Sequence, residues 1–179
     1  IEEGRGAGLT DFGRRAVAEM ENLGVLVDVS HLSERGFWDV AECARYPFVA
    51  SHSCAKALCG HARNLTDEQI KAIANSGGCI GVNFYPEFLA DDGISSIETI
   101  AKHAAYIINV GGEDVAALGS DFDGVECLPD GMRGVQDMAR LADAFRKEGI
   151  SADITDKIMF KNLYRVFCDS LSRSDRVQM

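Results

Sequence analysis

Four short apolar runs alternate with longer stretches of helical periodicity, and no other feature constrains the fold as strongly. The runs are 25–30 (VLVDVS), 48–51 (FVAS), 79–84 (CIGVNF) and 115–120 (VAALGS). Each is short and nearly continuous in apolar residues, the pattern of a strand buried on both faces. Between them, Val17, Met20 and Leu23 repeat at helical spacing over 10–23, with Thr10 or Asp11 as cap and Gly24 as stop. Ser33 opens a second helix over 33–45, and Pro47 prevents its continuation. Thr66, with Gln69 three residues on, predicts a capping box for a third, which Gly77 and Gly78 end. Further helices are expected over about 95–109, 135–148 and 155–171, with a frayed polar tail over 172–179. There is no repeat, linker or low-complexity tract, so 1–179 reads as a single domain. Buried strands alternating with helices make a parallel sheet with helices packed outside. An open doubly wound sheet and part of a (β/α)8 barrel both satisfy this pattern, and four strands are too few to close a barrel.

Parallel α/β folds place their chemistry at the C-terminal strand ends. His31 follows the first run, His52 the second, Tyr85 the third, and Asp121 the fourth, within SDFDG. Adjacent strands lie about 4.8 Å apart, so imidazoles at equivalent positions of two neighbours can reach one ion. Zinc suits imidazole and carboxylate donors, as do Mn and Co. The alternative is that each histidine satisfies a backbone carbonyl. Asp121 is placed to handle protons beside a metal-bound water, whereas Asp123 reads as a turn residue before Gly124. Arg63 can grip a carboxylate with two parallel hydrogen bonds, or pair with Asp67 or Glu68 at the surface. His61 and His103 receive no role. Phe37 and Trp38 are expected to pack a helix on the sheet.

Charge narrows the partners. The formal charge is −10, from 28 acidic and 18 basic residues. That opposes nucleic acid, whose binding needs phosphates neutralised, and opposes an anionic membrane surface. No stretch approaches the roughly 20 apolar residues of a membrane helix, and the N-terminal residues carry no secretory h-region. The six cysteines (Cys43, Cys54, Cys59, Cys79, Cys127 and Cys168) contain no Cys-x-x-Cys pair and read as buried free thiols of a reducing compartment. A cytoplasmic location is the expectation. No G-x-G-x-x-G or P-loop follows any strand.

Four segments carry a resemblance: GLTDFGRRAVAEMENLGVLVDVSH, SHSCAKALCGHARNLTDEQ, GGCIGVNFYPEFL and LGSDFDGV. With D-x-S-H, SHS, R-N-[LV]-x-D and GSDFDG in order, the chain resembles the renal (membrane) dipeptidase family, the M19 zinc peptidases, over about 8–167. The resemblance implies a (β/α)8 TIM barrel of the metal-dependent hydrolase type, of which this chain holds about four parallel strands with outer helices. It implies hydrolysis of dipeptides, often with a D-residue at the C-terminal position, and β-lactam opening in some members. It implies a binuclear zinc site with a bridging hydroxide that attacks the peptide carbonyl. His31 and His52 match two ligands of one zinc, Arg63 the residue that binds the substrate carboxylate, and Asp121 the residue acting at the catalytic water and leaving amine.

One departure stands out. The family's H-x-D ligand pair, its zinc-bridging glutamate and a further substrate histidine precede the matched segments, and this sequence contains no H-x-D. The chain therefore reads as the C-terminal half of a dipeptidase, holding at most one partial zinc site and inactive alone. It is expected to form a homo-oligomer or to need the N-terminal half. A non-catalytic, oligomeric chain with weak or no metal binding is the alternative.

Overall fold

The computed structural model describes residues 6–177. Helices α1 (Asp11–Asn22), α2 (Glu34–Cys43) and α3 (Asp67–Asn75) precede strand β1 (Ile80–Val82). Then come the short α4 (Pro86–Leu89), α5 (Ile97–Gly111) and strand β2 (Ala116–Leu118). A 3₁₀ turn (Val135–Asp137), α6 (Ala139–Lys147), α7 (Ala152–Asp156), a π turn (Lys157–Lys161) and α8 (Asn162–Val177) complete the chain.

The strand row is thinner than the sequence pattern predicts. β1 and β2 form a parallel two-stranded sheet, Ile80 opposite Ala116 and Val82 opposite Leu118. The runs at 25–30 and 48–51 join it through single parallel bridges, Asp28 with Val49 and Ala50 with Ile80. Hydrogen bonds nevertheless run along all four. Val29 N donates to Val49 O at 2.8 Å, Gly81 N to Ala50 O at 2.8 Å, and Ile80 N to Val115 O at 2.7 Å. The row is therefore in sequence order, all parallel, and the first and fourth members each keep one edge unpaired by a strand among the described residues. Twist shortens the stretch over which neighbours stay in regular register, and the first two runs keep a single bridged pair with each neighbour.

Helix starts follow the chemistry expected of them. Thr10 and Ser33 cap α1 and α2 by accepting from Gly13 N and Gly36 N. Thr66 and Gln69 form the reciprocal capping box of α3. The helix expected over 155–171 is instead α7, a π turn and α8. Its backbone stays helical to Val177, and residues 178–179 lie outside the described ones. Phe37 is buried in the core, but Trp38 is 38% exposed, because successive helical residues point about 100° apart and just one of the pair can face the sheet.

One large apolar cluster joins the row to α2, α3, α5 and α6, with Phe37, Phe84, Ile100 and Phe145 among its members. A smaller cluster of Val49, Cys79, Ala117 and Val166 attaches α8. Arg165 donates to the carbonyls of Gly77, Gly78 and Asp114, and Ser170 to that of Gly24. These carbonyls precede the strands, so α8 lies across their N-terminal ends and leaves the opposite end to the histidines. The six cysteines are free; Cys54, Cys59 and Cys79 are buried as expected, while Cys43 is half-buried and Cys127 and Cys168 are exposed, against the expectation for those three. Burial pushes the Cys79 thiol up to about 12.

Candidate metal and substrate site

The bridge between Asp28 and Val49 puts His31 and His52 in register, three residues beyond each bridged position. Their Nε2 atoms stand 2.8 Å apart and their ring centroids 4.8 Å. Two side chains separated by 21 residues thus present their distal nitrogens to one point at the C-terminal strand ends. Burial, then the nearby positive charge of Arg63 and His52, holds the His31 pKa below the ordinary histidine value, which keeps the imidazole neutral near pH 7. Neutral imidazole is the ligand form.

The carboxylate beneath this pair belongs to Asp28. Its Oδ1 accepts from Ser30 N at 3.0 Å, Ser30 Oγ at 2.7 Å and Ser51 N at 3.0 Å, and its Oδ2 from the Ser51 hydroxyl. Burial alone would raise the Asp28 carboxyl, but the donors from Ser51 and Ser30 outweigh it and hold the group below the usual carboxylate range.

Arg63 reaches the same end of the row from the loop before α3. Its Nε donates to Ser30 O at 2.9 Å and its guanidinium lies 5.3 Å from the Phe88 ring centre. Neither surface partner considered for it is used; Asp67 instead accepts from Tyr106 at 3.0 Å. Arg63 Nη2 is buried and has no hydrogen-bond partner among the described residues. An unsatisfied buried donor on a cation is costly, and an incoming carboxylate removes that cost. Burial lowers the Arg63 pKa, while the charges of Asp121 and Asp28 raise it. The arginine, both aspartates and His31 therefore share one electrostatic neighbourhood.

Asp121 follows β2 with φ 56°, the one non-glycine residue in the left-handed region among those described. Such a conformation is held by its surroundings and is common at functional positions. Gly124 N donates to Asp121 O at 2.9 Å, closing the turn. Asn83 Nδ2 donates to Asp121 Oδ2 at 3.3 Å, while Asn83 Oδ1 accepts from Tyr85 N at 2.6 Å. Asn83 is fully buried and escaped the sequence reading. The available signal was one amide side chain inside an otherwise apolar run. Asp28 and Ser51, though inside the quoted motifs, were not assigned roles either.

The match to the profile described as "Membrane dipeptidase (Peptidase family M19)" covers residues 1–178. The chain belongs to that family. A protein described as "Uncharacterized protein in pqqA 5'region" of Klebsiella pneumoniae is 45% identical over 165 residues, covering 90% of this chain and 60% of that protein. An uncharacterized dipeptidase of Schizosaccharomyces pombe is 37% identical over 142 residues, 78% of this chain and 33% of its own length. Among solved structures, a metallo peptidase from Rhodobacter sphaeroides, liganded with a phosphinate mimic of L-Ala-D-Ala, superposes with a TM-score of 0.86. It is 39% identical, and the match covers 91% of this chain and 47% of the other. The M19 dipeptidase AC gives a TM-score of 0.86 at 40% identity, covering 91% and 48%. The chain thus spans about half the length of the solved structures it matches.

Family membership implies a metal. Two imidazoles with converging Nε2 atoms fit zinc as two of its ligands. A zinc site takes three or four protein ligands, and no cluster of three or more His, Cys, Asp or Glu side chains suited to a metal occurs among the described residues. The described residues of this M19 segment thus bring two imidazoles together without a third such side chain.

Proposed function

We propose that this chain carries one side of a zinc-dependent dipeptidase site, in which His31 and His52 are ligands of one zinc, Arg63 binds substrate and Asp121 moves the proton. The approach of the two Nε2 atoms to 2.8 Å carries the reading. The four-membered parallel row is then half of a (β/α)8 barrel, and the ligands of a second zinc and its bridging carboxylate lie outside these 179 residues.

Zinc, when bound, supplies Lewis acidity, polarising the peptide carbonyl and bringing the pKa of its water from 15.7 towards about 7. Arg63 holds the dipeptide's C-terminal carboxylate through the unpartnered Nη2, with Nε anchored on Ser30 O. That grip fixes how many residues fit between the carboxylate and the scissile bond, which selects dipeptides over longer peptides. Asp121, steadied at Oδ2 by Asn83, takes the proton of the attacking water and returns it to the leaving amine. L-Ala-D-Ala, whose phosphinate mimic occupies the Rhodobacter metallo peptidase, is the first substrate to test.

A second reading, a non-catalytic oligomer with weak or no metal, is favoured by the absence of a third ligand among the described residues. Grafting this chain in place of the matching region of the Rhodobacter metallo peptidase separates the two. A zinc-loaded graft that hydrolyses L-Ala-D-Ala, and loses at least a hundredfold of that rate on Asp121→Asn, supports the enzyme reading. A folded, zinc-loaded graft without turnover contradicts it.

A further inference from the structure

His52 is held from behind as well as aimed forward. Its Nδ1 lies 2.7 Å from Ser51 Oγ, and its backbone N–H donates to Ser30 Oγ at 3.1 Å. Both hydroxyls bond the Asp28 carboxylate. Two of the donors on Asp28 Oδ1 are backbone N–H groups, which cannot accept, so the carboxylate is the acceptor throughout. Ser51 has one hydroxyl proton and gives it to Asp28. Towards His52 its oxygen can therefore only accept, and Nδ1 must carry the hydrogen. In a neutral imidazole that leaves the lone pair on Nε2, the atom facing His31.

We infer that Asp28, acting through the Ser51 hydroxyl, is a positioning residue that fixes His52 as the Nδ1–H tautomer and aims its Nε2 lone pair at the ion site. Ser51 has little freedom to yield. A Cβ at Gly81 or at Gly119 would come within 2.0 or 1.9 Å of Ser51 O, so the backbone of two neighbouring segments presses on that carbonyl. Without an ion, His31 donates Nε2–H to His52. An ion entering between the rings meets a ready lone pair on His52 and requires a tautomer change from His31 alone. Orienting groups of this kind contribute to affinity by holding a ligand ready before the metal arrives. The ion-binding part of the inference rests on His52 being a zinc ligand; the tautomer part does not.

The test combines two readouts on the 179-residue chain. Long-range ¹⁵N–¹H NMR of the zinc-free chain at pH 7.5 reads the His52 tautomer, and competition against a chelator of known affinity reads zinc binding. The wild type shows His52 as Nδ1–H. Ser51→Ala and Asp28→Asn move it towards the Nε2–H form that an unconstrained histidine prefers, and weaken zinc about 10- to 100-fold. Ser51→Thr, which keeps the hydroxyl, retains both properties. Ser51→Ala leaves the Asp28 carboxylate and its backbone donors in place, so it reports even if Asp28→Asn fails to fold. A wild-type Nε2–H tautomer, or a tautomer unchanged in folded Ser51→Ala, overturns the inference. So does wild-type zinc affinity in that variant. The expected tautomer changes in a chain that binds no zinc would uphold the positioning role and remove the proposed metal site instead.

Discussion

At the scale of single residues, histidines divide by what their two nitrogens meet. His103 is fully buried in α5; Ala55 N donates to its Nδ1 at 3.1 Å, and its Nε2–H donates to Leu89 O at 3.0 Å. Both nitrogens are satisfied within the protein in the neutral form, and burial lowers its pKa despite the Leu89 carbonyl. Below the ordinary value of about 6.5 the unfolded chain binds a proton that folded His103 refuses, so stability falls as pH falls. Urea titrations should show stability falling as pH drops below about 6.5, and less so in His103→Gln. His31 and His52 instead turn one nitrogen each towards the other. Their strand-end positions were legible from spacing, because side chains in register on parallel neighbours need no further information to meet. Asn83 and the Asp28–Ser51 contact were not, since they depend on which segments lie side by side and how far each is slid. For Arg63, spacing left two partners open, and the structure used neither. In the active graft, Arg63→Lys keeps the charge but loses the planar fork and the Ser30 anchor. It should raise KM for dipeptides about tenfold or more with a smaller change in kcat. An unchanged KM would remove Arg63 from substrate binding.

At the scale of elements, the caps were the most legible features, because they are local chemistry. Thr66 and Gln69 satisfy each other's backbone within four residues whatever the rest of the chain does. Thr66→Ala should cost about 1 kcal/mol in chemical denaturation. Strand lengths were less legible. An apolar run predicts burial but not how many residues keep regular pairing, and the runs at 25–30 and 48–51 keep one bridged pair with each neighbour. The turn between α7 and α8 was invisible because Lys157–Lys161 keeps helical periodicity while shifting its hydrogen-bond pattern. The glycines of the row carry a sharper consequence. Gly81 and Gly119 admit the Ser51 carbonyl where any side chain would collide with backbone. Either glycine to alanine should destabilise the chain by about 3 kcal/mol and displace Ser51 from behind His52. A fully stable Gly119→Ala with wild-type zinc binding would show that this packing does not support the site.

At the scale of the whole molecule, the described surface carries an apolar stripe along the C-terminal helical segment. Phe160, Tyr164, Phe167 and Leu171 repeat at spacings of four, three and four, all largely exposed, with the Phe160 and Tyr164 rings stacked 4.9 Å apart. Apolar stripes of this kind rarely stay in water. The chain alone should self-associate, and light scattering at micromolar concentration should give a mass well above 19.4 kDa; a monodisperse monomer would count against the half-barrel reading. No described helix is long and apolar enough to cross a membrane. The parallel order of the row and the end that carries the two histidines were legible from alternation alone, whereas the extent of regular strand pairing was not. The central claim, that His31 and His52 together hold zinc, is tested most directly by elemental analysis of the dialysed graft, which supplies the remaining donors. Zinc bound by the graft and reduced by about one ion per chain on either His31→Ala or His52→Ala is the predicted result. A folded graft whose zinc content is unchanged in both variants would contradict it.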